Sequence, residues 1–282
     1  MADLCLVIKH IIMNKVVLIT GASAGMGKET ALLLAKNGYT VYGAARRIDK
    51  MNDLKEGGIK TLQLDVTKDD SMVKCVEQII ANEGRIDILV NNAGFGSYGA
   101  VEDVPMADAK YQLEVNLFGA VRLIQLVLPA MRQQQGGKIV NISSIGGKMA
   151  TPLGGWYHAS KFALEGLSDS LRNEVKPFGI DVIVIEPGGI RSEWGGIAFD
   201  SLLKVSGHTA YQPMADKFAA AFKGTEGKNP PPIIIAELIR KAIEAKRPKA
   251  RYAAGYMARP ALLMKKIFSD RMVDKIIMSQ IK

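Results

Sequence analysis

Short apolar runs rich in β-branched residues alternate with helical stretches along most of this 282-residue chain. We predict strands at Val16–Thr20, Thr40–Ala45, Lys60–Leu64, Ile86–Val90, Lys138–Ile142, Asp181–Ile185 and Arg251–Ala254. Runs such as VVLIT and DVIVIE are apolar almost throughout, which is typical of parallel strands covered on both faces. The pattern therefore predicts an α/β fold: a doubly wound, mostly parallel seven-stranded sheet with helices on both faces.

Helical periodicity fills the gaps between the strands. It predicts helices at Gly27–Lys36, Asp69–Glu83, Ala109–Met131, Tyr157–Val175 and Ala236–Ala245. We predict that Gly38 ends the first helix, as glycine often does at a helix C-terminus. Thr67 and Asp70 have the spacing of a capping box at the start of the second helix.

The chain divides into three parts. Residues 1–12 are expected to be an N-terminal extension, 13–256 a single domain, and 257–282 an amphipathic basic tail. Residues 189–233 have no clear periodicity, and an irregular segment of that length inside a compact domain is often a lid. We expect the tail to pack against its own domain; covering the pocket, contacting a neighbouring subunit or lying on a membrane surface are the alternatives.

The formal charge of +9 makes nucleic acid, an anionic membrane or a phosphorylated ligand candidate partners. The basic residues are dispersed, and their short clusters lack the interleaved aromatic residues of a base-stacking surface. We therefore expect a phosphorylated ligand and no nucleic-acid partner. No run reaches the roughly 18 apolar residues of a membrane span, so no integral membrane association is expected. Two scattered cysteines fit a reducing, cytoplasmic location, and no metal site is expected.

A glycine-rich turn, TGASAGMGKE, joins the first strand to the first helix. Gly21, Gly25 and Gly27 let the main chain approach an anion at the helix N-terminus, where backbone amides favour negative charge. A P-loop would need glycine at Ala22 and a hydroxyl residue at Glu29, so a nucleoside-triphosphate site is excluded. The turn instead has a variant of the spacing found in dinucleotide-binding folds.

Tyr157 and Lys161 lie four residues apart in a predicted helix, so both side chains share one face. An ordinary amphipathic helix with an extended lysine is the alternative for this pair alone. Motifs elsewhere in the sequence decide between a functional pair and an ordinary helix. They are NNAG at 91–94, Asn116 in the next helix, and Ser144 thirteen residues before Tyr157. With the glycine-rich turn, these motifs resemble the short-chain dehydrogenase/reductase family, from the first strand to the lid.

The resemblance implies a single-domain Rossmann fold, and EPGGIRSEW at 186–194 is similar to the family's segment after the sixth strand. The segments NISSIGG and YHASKFALEGLSDSLR are most similar to its 17β-hydroxysteroid-dehydrogenase-like subgroup. Ser192 stands where many members have threonine.

The same resemblance implies four catalytic residues. Tyr157 would be the general acid/base, Ser144 would hydrogen-bond the reacting oxygen, and Asn116 would hold a water that relays protons from Lys161. We expect the ammonium of Lys161 to lower the pKa of the Tyr157 phenol toward neutrality. His158, one step along the helix, would face away from the site, and Ser143 and Ser160 are less favoured.

The resemblance also implies binding residues. The cofactor-binding set is Gly21, Ser23, Gly25, Met26, Gly27, Arg46, Asp65, Val66, Asn92, Ala93, Gly94, Tyr157, Lys161, Pro187, Gly188, Ile190 and Ser192. The substrate-binding set is Ser144, Tyr157 and Trp194, within a rim of aromatic and aliphatic residues that favours a lipophilic substrate.

The end of the second strand favours NADP over NAD. Ala45 stands where NAD-users of this fold commonly carry an acid that bonds the ribose hydroxyls. Arg46 follows directly and can make charge-assisted bonds to a 2′-phosphate, whereas Arg47 reads as a solvated residue.

The sequence therefore predicts an NADP(H)-dependent oxidoreductase that interconverts a ketone or aldehyde and an alcohol. A non-catalytic dinucleotide-binding sensor on the same fold is the alternative. A homodimer or homotetramer is expected from the resemblance only.

Overall fold

The structure, a computed structural model, describes residues 15–281 apart from the side chains of Trp194 and Glu226; the predicted extension at 1–12 lies outside this part. Seven strands form one sheet: β1 (Val16–Thr20), β2 (Thr40–Ala45), β3 (Lys60–Gln63), β4 (Ile88–Asn91), β5 (Gly137–Ile142), β6 (Ile180–Pro187) and β7 (Arg251–Ala254). Their order is β3-β2-β1-β4-β5-β6-β7, and every strand pair is parallel. The predicted doubly wound, seven-stranded sheet is therefore confirmed.

Eleven α-helices are assigned in the described part of the chain. They are α1 (Gly25–Lys36), α2 (Asn52–Glu56), α3 (Asp69–Glu83), α4 (Met106–Leu113), α5 (Gly119–Gln133), α6 (Gly155–Val175), α7 (Trp194–Ser206), α8 (Gln212–Lys223), α9 (Ile233–Glu244), α10 (Ala258–Ile267) and α11 (Asp270–Ser279).

The five inner strands of the sheet, β2, β1, β4, β5 and β6, are largely apolar and buried on both faces. Helices α3, α5 and α6 pack on one face, where Leu123, Val127 and Leu171 join the core cluster. Helices α1 and α9 cover the other face through residues such as Leu34 and Ile239. This is the two-sided arrangement that continuous apolar strands require.

The predicted helix at 109–131 is longer than expected and is not uniform. A π-helical segment, Glu114–Phe118, separates α4 from α5. By length and composition, Met106–Gln133 also meets the criteria for a membrane span, contrary to the expectation that no stretch would. Its Leu123, Ile124 and Val127 are buried against the sheet, as in the core helix of a globular domain.

Two local predictions have opposite outcomes. Gly38, with a φ of +86°, follows the end of α1 as predicted. The capping box is wrong: Lys68 is the N-cap of α3 and makes no side-chain cap bond. The Thr67 hydroxyl instead donates to Asp65 Oδ1 at 2.8 Å, because the loop before the helix forms its own turn.

The segment at 189–233 is more regular than its sequence indicated. Helices α7 and α8 occupy most of it, and Leu202 of α7 and Phe218 of α8 are buried. In α7 the periodicity is obscured because Ile197 and Leu203 lie on its exposed side, whereas the exposed side of α8 is polar and includes Asp216 and Lys217. The tail at 257–282 forms α10 and α11, which pack on the domain through Ala261 and Val273.

Candidate active site

The glycine-rich turn lies where the sheet reverses its strand order, between β1 and β4. In open α/β sheets this switch point, at the carboxyl ends of the strands, is where ligands bind. Gly21 and Gly25 have φ angles of +67° and +55°, which favour glycine. A Cβ on Gly27 would lie 2.4 Å from Asn92 Nδ2 and 2.5 Å from Gly21 O. The tight turn therefore requires glycine at these positions.

The NNAG segment is bonded to this turn. Thr20 Oγ1 accepts hydrogen bonds from the backbone amides of Asn92 and Ala93, at 3.0 and 2.9 Å. The Asn92 side chain donates to Thr20 O at 2.9 Å and to Gly21 O at 3.2 Å. These contacts hold the ends of β1 and β4 as one rigid base.

A cavity of about 340 Å³ opens above this base. Most of the predicted cofactor-binding residues line it: Gly21, Ser23, Gly25, Met26, Arg46, Asp65, Val66, Asn92, Ala93, Gly94 and Ser192. Gly27 lies beneath the turn instead, where its close contacts leave room for hydrogen only.

Arg46 and Arg47 stand at the outer end of this smaller cavity. The exposed Arg46 guanidinium donates to the Tyr111 hydroxyl at 2.8 Å, so a residue on α4 holds it beside the cavity. Arg47 lies 3.8 Å from Glu193 in an exposed ion pair. Ala45, the residue before Arg46, also lines this cavity and carries no charge.

A second cavity of about 470 Å³ adjoins the first, and Met26 and Ser192 line both. Its wall contains the predicted Ser144, Tyr157, Pro187, Gly188 and Ile190. Phe199 of α7 and Phe222 of α8 close its outer side. Trp194, predicted to contact substrate, begins α7, but its side chain lies outside the described part of the structure. The two cavities form one groove from the glycine turn to Tyr157.

Ser144 and Tyr157 are brought together at the wall of the larger cavity. Ser144 caps the short turn Ile145–Gly147, accepting the amide of Gly146 at 3.0 Å. Its hydroxyl also hydrogen-bonds Tyr157, which favours the phenolate and lowers the phenol pKa. The neighbouring Ser143 hydroxyl is buried, without a hydrogen-bond partner among the described residues.

Lys161 and Asn116 lie behind Gly94 and line neither cavity. Lys161 Nζ donates to Ile142 O at 2.8 Å and is 5.9 Å from the Tyr157 ring centroid. A Cβ on Gly94 would lie 3.1 Å from Asn116 Oδ1 and 3.6 Å from Lys161 Nζ. Gly94 is therefore the thin wall between these side chains and the smaller cavity.

Burial sets the protonation of the site. It raises the pKa of Tyr157 to about 12, outweighing the Ser144 hydrogen bond, so the expected shift toward neutrality is wrong in this structure. Burial also lowers the pKa of Lys161 to about 8, while the charge of Glu165 opposes that change. At neutral pH the phenol is therefore protonated and the amine is still mostly charged.

Asn116 is fixed by three hydrogen bonds. It accepts the amide of Phe95 at 3.0 Å and donates to Phe95 O at 2.9 Å. Its amide also donates to Ser160 Oγ at 3.1 Å, and that hydroxyl donates to Tyr157 O at 2.7 Å. Ser160 thus links Asn116 to the helix of Tyr157, a role that sequence reasoning missed. The π-helical segment places Asn116 here, as such segments often do at functional sites.

His158 is closer to the site than expected, because it lines the larger cavity. Its Nε2 accepts the amide of Thr151 at 3.0 Å, so Nδ1 carries the proton and donates to Gly146 O at 2.9 Å. Burial lowers its pKa, and the ring is neutral. Both nitrogens bind backbone, which makes His158 a support for the turn after β5.

A buried ionic cluster lies one turn beyond Lys161 on α6. Glu165 pairs with Lys148 at 2.7 Å and with Arg251 at 2.9 Å. Glu186, at the end of β6, is 3.5 Å from Arg251, and burial raises its pKa to about 7 with a further contribution from Glu165.

Comparison with known proteins agrees with this architecture. The model of the short chain dehydrogenase family matches residues 15–199. A 3-ketodihydrosphingosine reductase from Bacteroides thetaiotaomicron is 47% identical over 174 residues, which are 62% of this chain and 63% of that protein. The chain thus aligns with less than two thirds of that relative.

Two further similarities extend over nearly the whole chain. An NADPH-dependent 3-dehydrocapnine reductase from Ornithobacterium rhinotracheale is 33% identical over 94% of this chain and 96% of that protein. A crystal structure of a short-chain dehydrogenase from Streptomyces avermitilis superposes with a TM-score of 0.78 at 32% identity, covering 94% of each chain. With the parallel sheet and the matched segment, these similarities show that the chain belongs to the short-chain dehydrogenase/reductase family and is an oxidoreductase.

Proposed function

We propose that this protein reduces a lipophilic ketone or aldehyde to an alcohol with NADPH, through Tyr157, Ser144, Lys161 and Asn116. The observation that carries the proposal is the continuous groove: its smaller part adjoins the glycine turn and its larger part ends at Tyr157 and Ser144. A dinucleotide fits this groove, because Gly21, Gly25 and Gly94 line its smaller part without side chains, and a Cβ on Gly25 would lie 3.6 Å from Ser192 Cβ, whose residue lines both cavities. Bound NADPH supplies the hydride.

The side chains have defined tasks in this proposal. Tyr157, protonated at neutral pH, donates its proton to the carbonyl oxygen of the substrate as that oxygen gains negative charge. Ser144 donates a hydrogen bond to the same oxygen. The ammonium of Lys161 stabilises the phenolate left on Tyr157, and Asn116 holds the backbone of Phe95 beside it.

The wall of the larger cavity supports a lipophilic substrate. Phe199, Phe222 and Met149 line it, and the Tyr98 ring packs at a tilt against Tyr157 with ring centroids 5.8 Å apart. The two bacterial reductases given above are named for 3-ketodihydrosphingosine and 3-dehydrocapnine. A member of the 17β-hydroxysteroid-dehydrogenase-like subgroup would also take an apolar ketone. A non-catalytic sensor would not require a protonated tyrosine, Tyr157, at the wall of an open cavity.

The preference for NADPH is proposed from Arg46. Its guanidinium is held by Tyr111 at the outer end of the smaller cavity, with the uncharged Ala45 before it. A 2′-phosphate there would gain a charge-assisted bond. The NADPH dependence named for the 3-dehydrocapnine reductase supports the same choice. The lid at 189–233, a homodimer or homotetramer, a cytoplasmic location, and the absence of nucleic-acid and integral membrane association remain expectations.

One kinetic experiment tests the proposal. NADPH and NADH oxidation is followed with ketones of graded hydrophobicity, using the wild type, Arg46→Ala and the matched control Arg47→Ala. We expect turnover that increases with substrate hydrophobicity. Arg46→Ala should raise the KM for NADPH by tenfold or more, because it removes a charged hydrogen bond worth roughly 1.5–3 kcal/mol. The KM for NADH should stay unchanged, and Arg47→Ala should have a smaller effect.

Cofactor binding without turnover across the panel would favour the sensor. A wild-type enzyme that prefers NADH would refute the role of Arg46, and turnover confined to small charged ketones would refute the lipophilic substrate.

A further inference from the structure

Helices α10 and α11 form a hairpin whose inner side belongs to the domain. Ala261 and Val273 are buried together with Met149, and Ile145 packs against the same cluster. Ile145 and Met149 also line the larger cavity. The hairpin therefore backs one wall of the proposed substrate site.

The outer side of the hairpin exposes large apolar side chains. Leu263 and Ile267, one turn apart on α10, are 57% and 64% exposed. Phe268 in the connection and Met272 in the first turn of α11 are 43% and 48% exposed. Single exposed apolar residues are ordinary, but four of them around one helical corner indicate a surface that meets another apolar phase. We refer to Leu263, Ile267, Phe268 and Met272 as the tail surface.

Basic residues surround the tail surface. Residues 257–281 carry the cations Arg259, Lys265, Lys266, Arg271 and Lys275 against the anions Asp270 and Asp274. Lys265 pairs with Asp270, while Lys266 and Arg271 are exposed beside Ile267 and Met272. Apolar side chains flanked by lysine and arginine are typical of helices that lie in the interface of an anionic bilayer. A second copy of the chain would instead bring like charges together at this face.

We propose that the tail surface docks the protein peripherally on an anionic phospholipid bilayer, with its apolar side chains among the acyl chains and the surrounding cations at the headgroups. This adds a binding surface that the proposed reductase function does not require. Because the hairpin backs the larger cavity, docking would hold that cavity close to the bilayer, where a lipophilic carbonyl compound is concentrated.

Co-sedimentation of the full chain with vesicles tests the proposal without cofactor or substrate, so its outcome is independent of the reductase assay. We expect binding to vesicles that contain phosphatidylserine, weaker binding to pure phosphatidylcholine, and loss of binding at high salt. The double variant Leu263→Glu/Ile267→Glu should bind the anionic vesicles at least tenfold more weakly. The matched control is Met106→Glu, at a residue 55% exposed on α4, and it should bind like the wild type.

A second variant, Lys266→Glu/Arg271→Glu, leaves the apolar residues in place and should lose the preference for anionic vesicles. Unchanged thermal unfolding of these variants would show that weaker binding does not result from misfolding. No binding of the wild type to anionic vesicles at low salt, or equal weakening by Met106→Glu, would overturn the proposal. So would a double variant that keeps its vesicle affinity but falls from oligomer to monomer in sedimentation equilibrium, because the tail surface would then join copies of the chain.

Discussion

Replacing Ser160 by alanine tests whether this buried hydroxyl positions Asn116 for catalysis. Ser160 Oγ accepts from Asn116 Nδ2 at 3.1 Å and donates to Tyr157 O at 2.7 Å. The substitution leaves a buried amide N–H without its partner, which costs about 1–3 kcal/mol. Asn116 keeps its two bonds to Phe95, so the protein should fold with a slightly lower melting temperature.

Helix α6 contains a matched control for this substitution. Ser168 is equally buried; its Oγ accepts from Asn141 Nδ2 at 2.9 Å and donates to Leu164 O at 2.6 Å. Ser168→Ala should therefore lose a similar amount of stability. The two variants differ in the side-chain amide that loses its partner, which is Asn116 in Ser160→Ala and Asn141 in Ser168→Ala. Of these two, only Asn116 lies beside Gly94 and Lys161.

The assay compares chemical denaturation with steady-state kinetics for both variants. We expect Ser160→Ala to lower kcat about tenfold, or roughly 1.4 kcal/mol of barrier, and Ser168→Ala to leave it within about twofold. In an Asn116→Ala background, Ser160→Ala should have little further effect on kcat, since the two residues act as a unit. Equal kcat losses in the two serine variants, or additive losses in the double variant, would refute the positioning role.

Two further predictions concern stability. Gly27→Ala should destabilise the fold by about 1–3 kcal/mol, because its Cβ meets Gly21 O at 2.5 Å. The control Gly166→Ala, in an exposed part of α6 with no atom within 4 Å of its Cβ, should stabilise the fold by about 0.5–1 kcal/mol; denaturant melts giving the same sign for both would contradict this. Glu186 has a folded pKa of about 7 against an ordinary 4.5, so the folded state holds the extra proton and stability falls as pH rises between these values. Glu186→Gln should flatten that part of the melting-temperature profile, and an unchanged slope would count against the shift.

Much of the fold could be predicted because its signals are local. Each predicted strand overlaps an observed one, and β1, β2 and β7 have the predicted bounds. The apolar runs of β1 and β2 are short and continuous, and the parallel sheet buries both sides of them, whereas β7 is a half-buried edge strand. Helix α7 was missed for a different reason: Ile197 and Leu203 lie on its exposed side, so it lacks the polar face that reveals a surface helix. Helix α8 has such a face, with Asp216 and Lys217 exposed, and could have been predicted.

The candidate site could be predicted only as a set of residues. The spacing of the family motifs identified four residues. In the structure, Ser144 and Tyr157 lie at one cavity wall, and Lys161 and Asn116 lie behind Gly94. The bonds that hold them were not predictable, because Ser160 meets Asn116 across 44 residues of sequence. Such contacts depend on packing between elements, which motif spacing does not specify.

The protonation of the site also depends on packing, and it bears on the direction of the reaction. A lysine four residues from a tyrosine suggests that the tyrosine phenol has a low pKa. In the structure, however, Lys161 donates its hydrogen bond to Ile142 O, and burial raises the pKa of Tyr157 to about 12. At about 1.36 kcal/mol per unit, forming the phenolate at neutral pH is unfavourable by several kcal/mol in this structure. Oxidation of an alcohol needs that phenolate as a base, whereas reduction of a ketone needs the phenol as an acid. The protonated phenol is the acid that the proposed reduction uses, and the nearby ammonium of Lys161 would stabilise the phenolate once the proton has left.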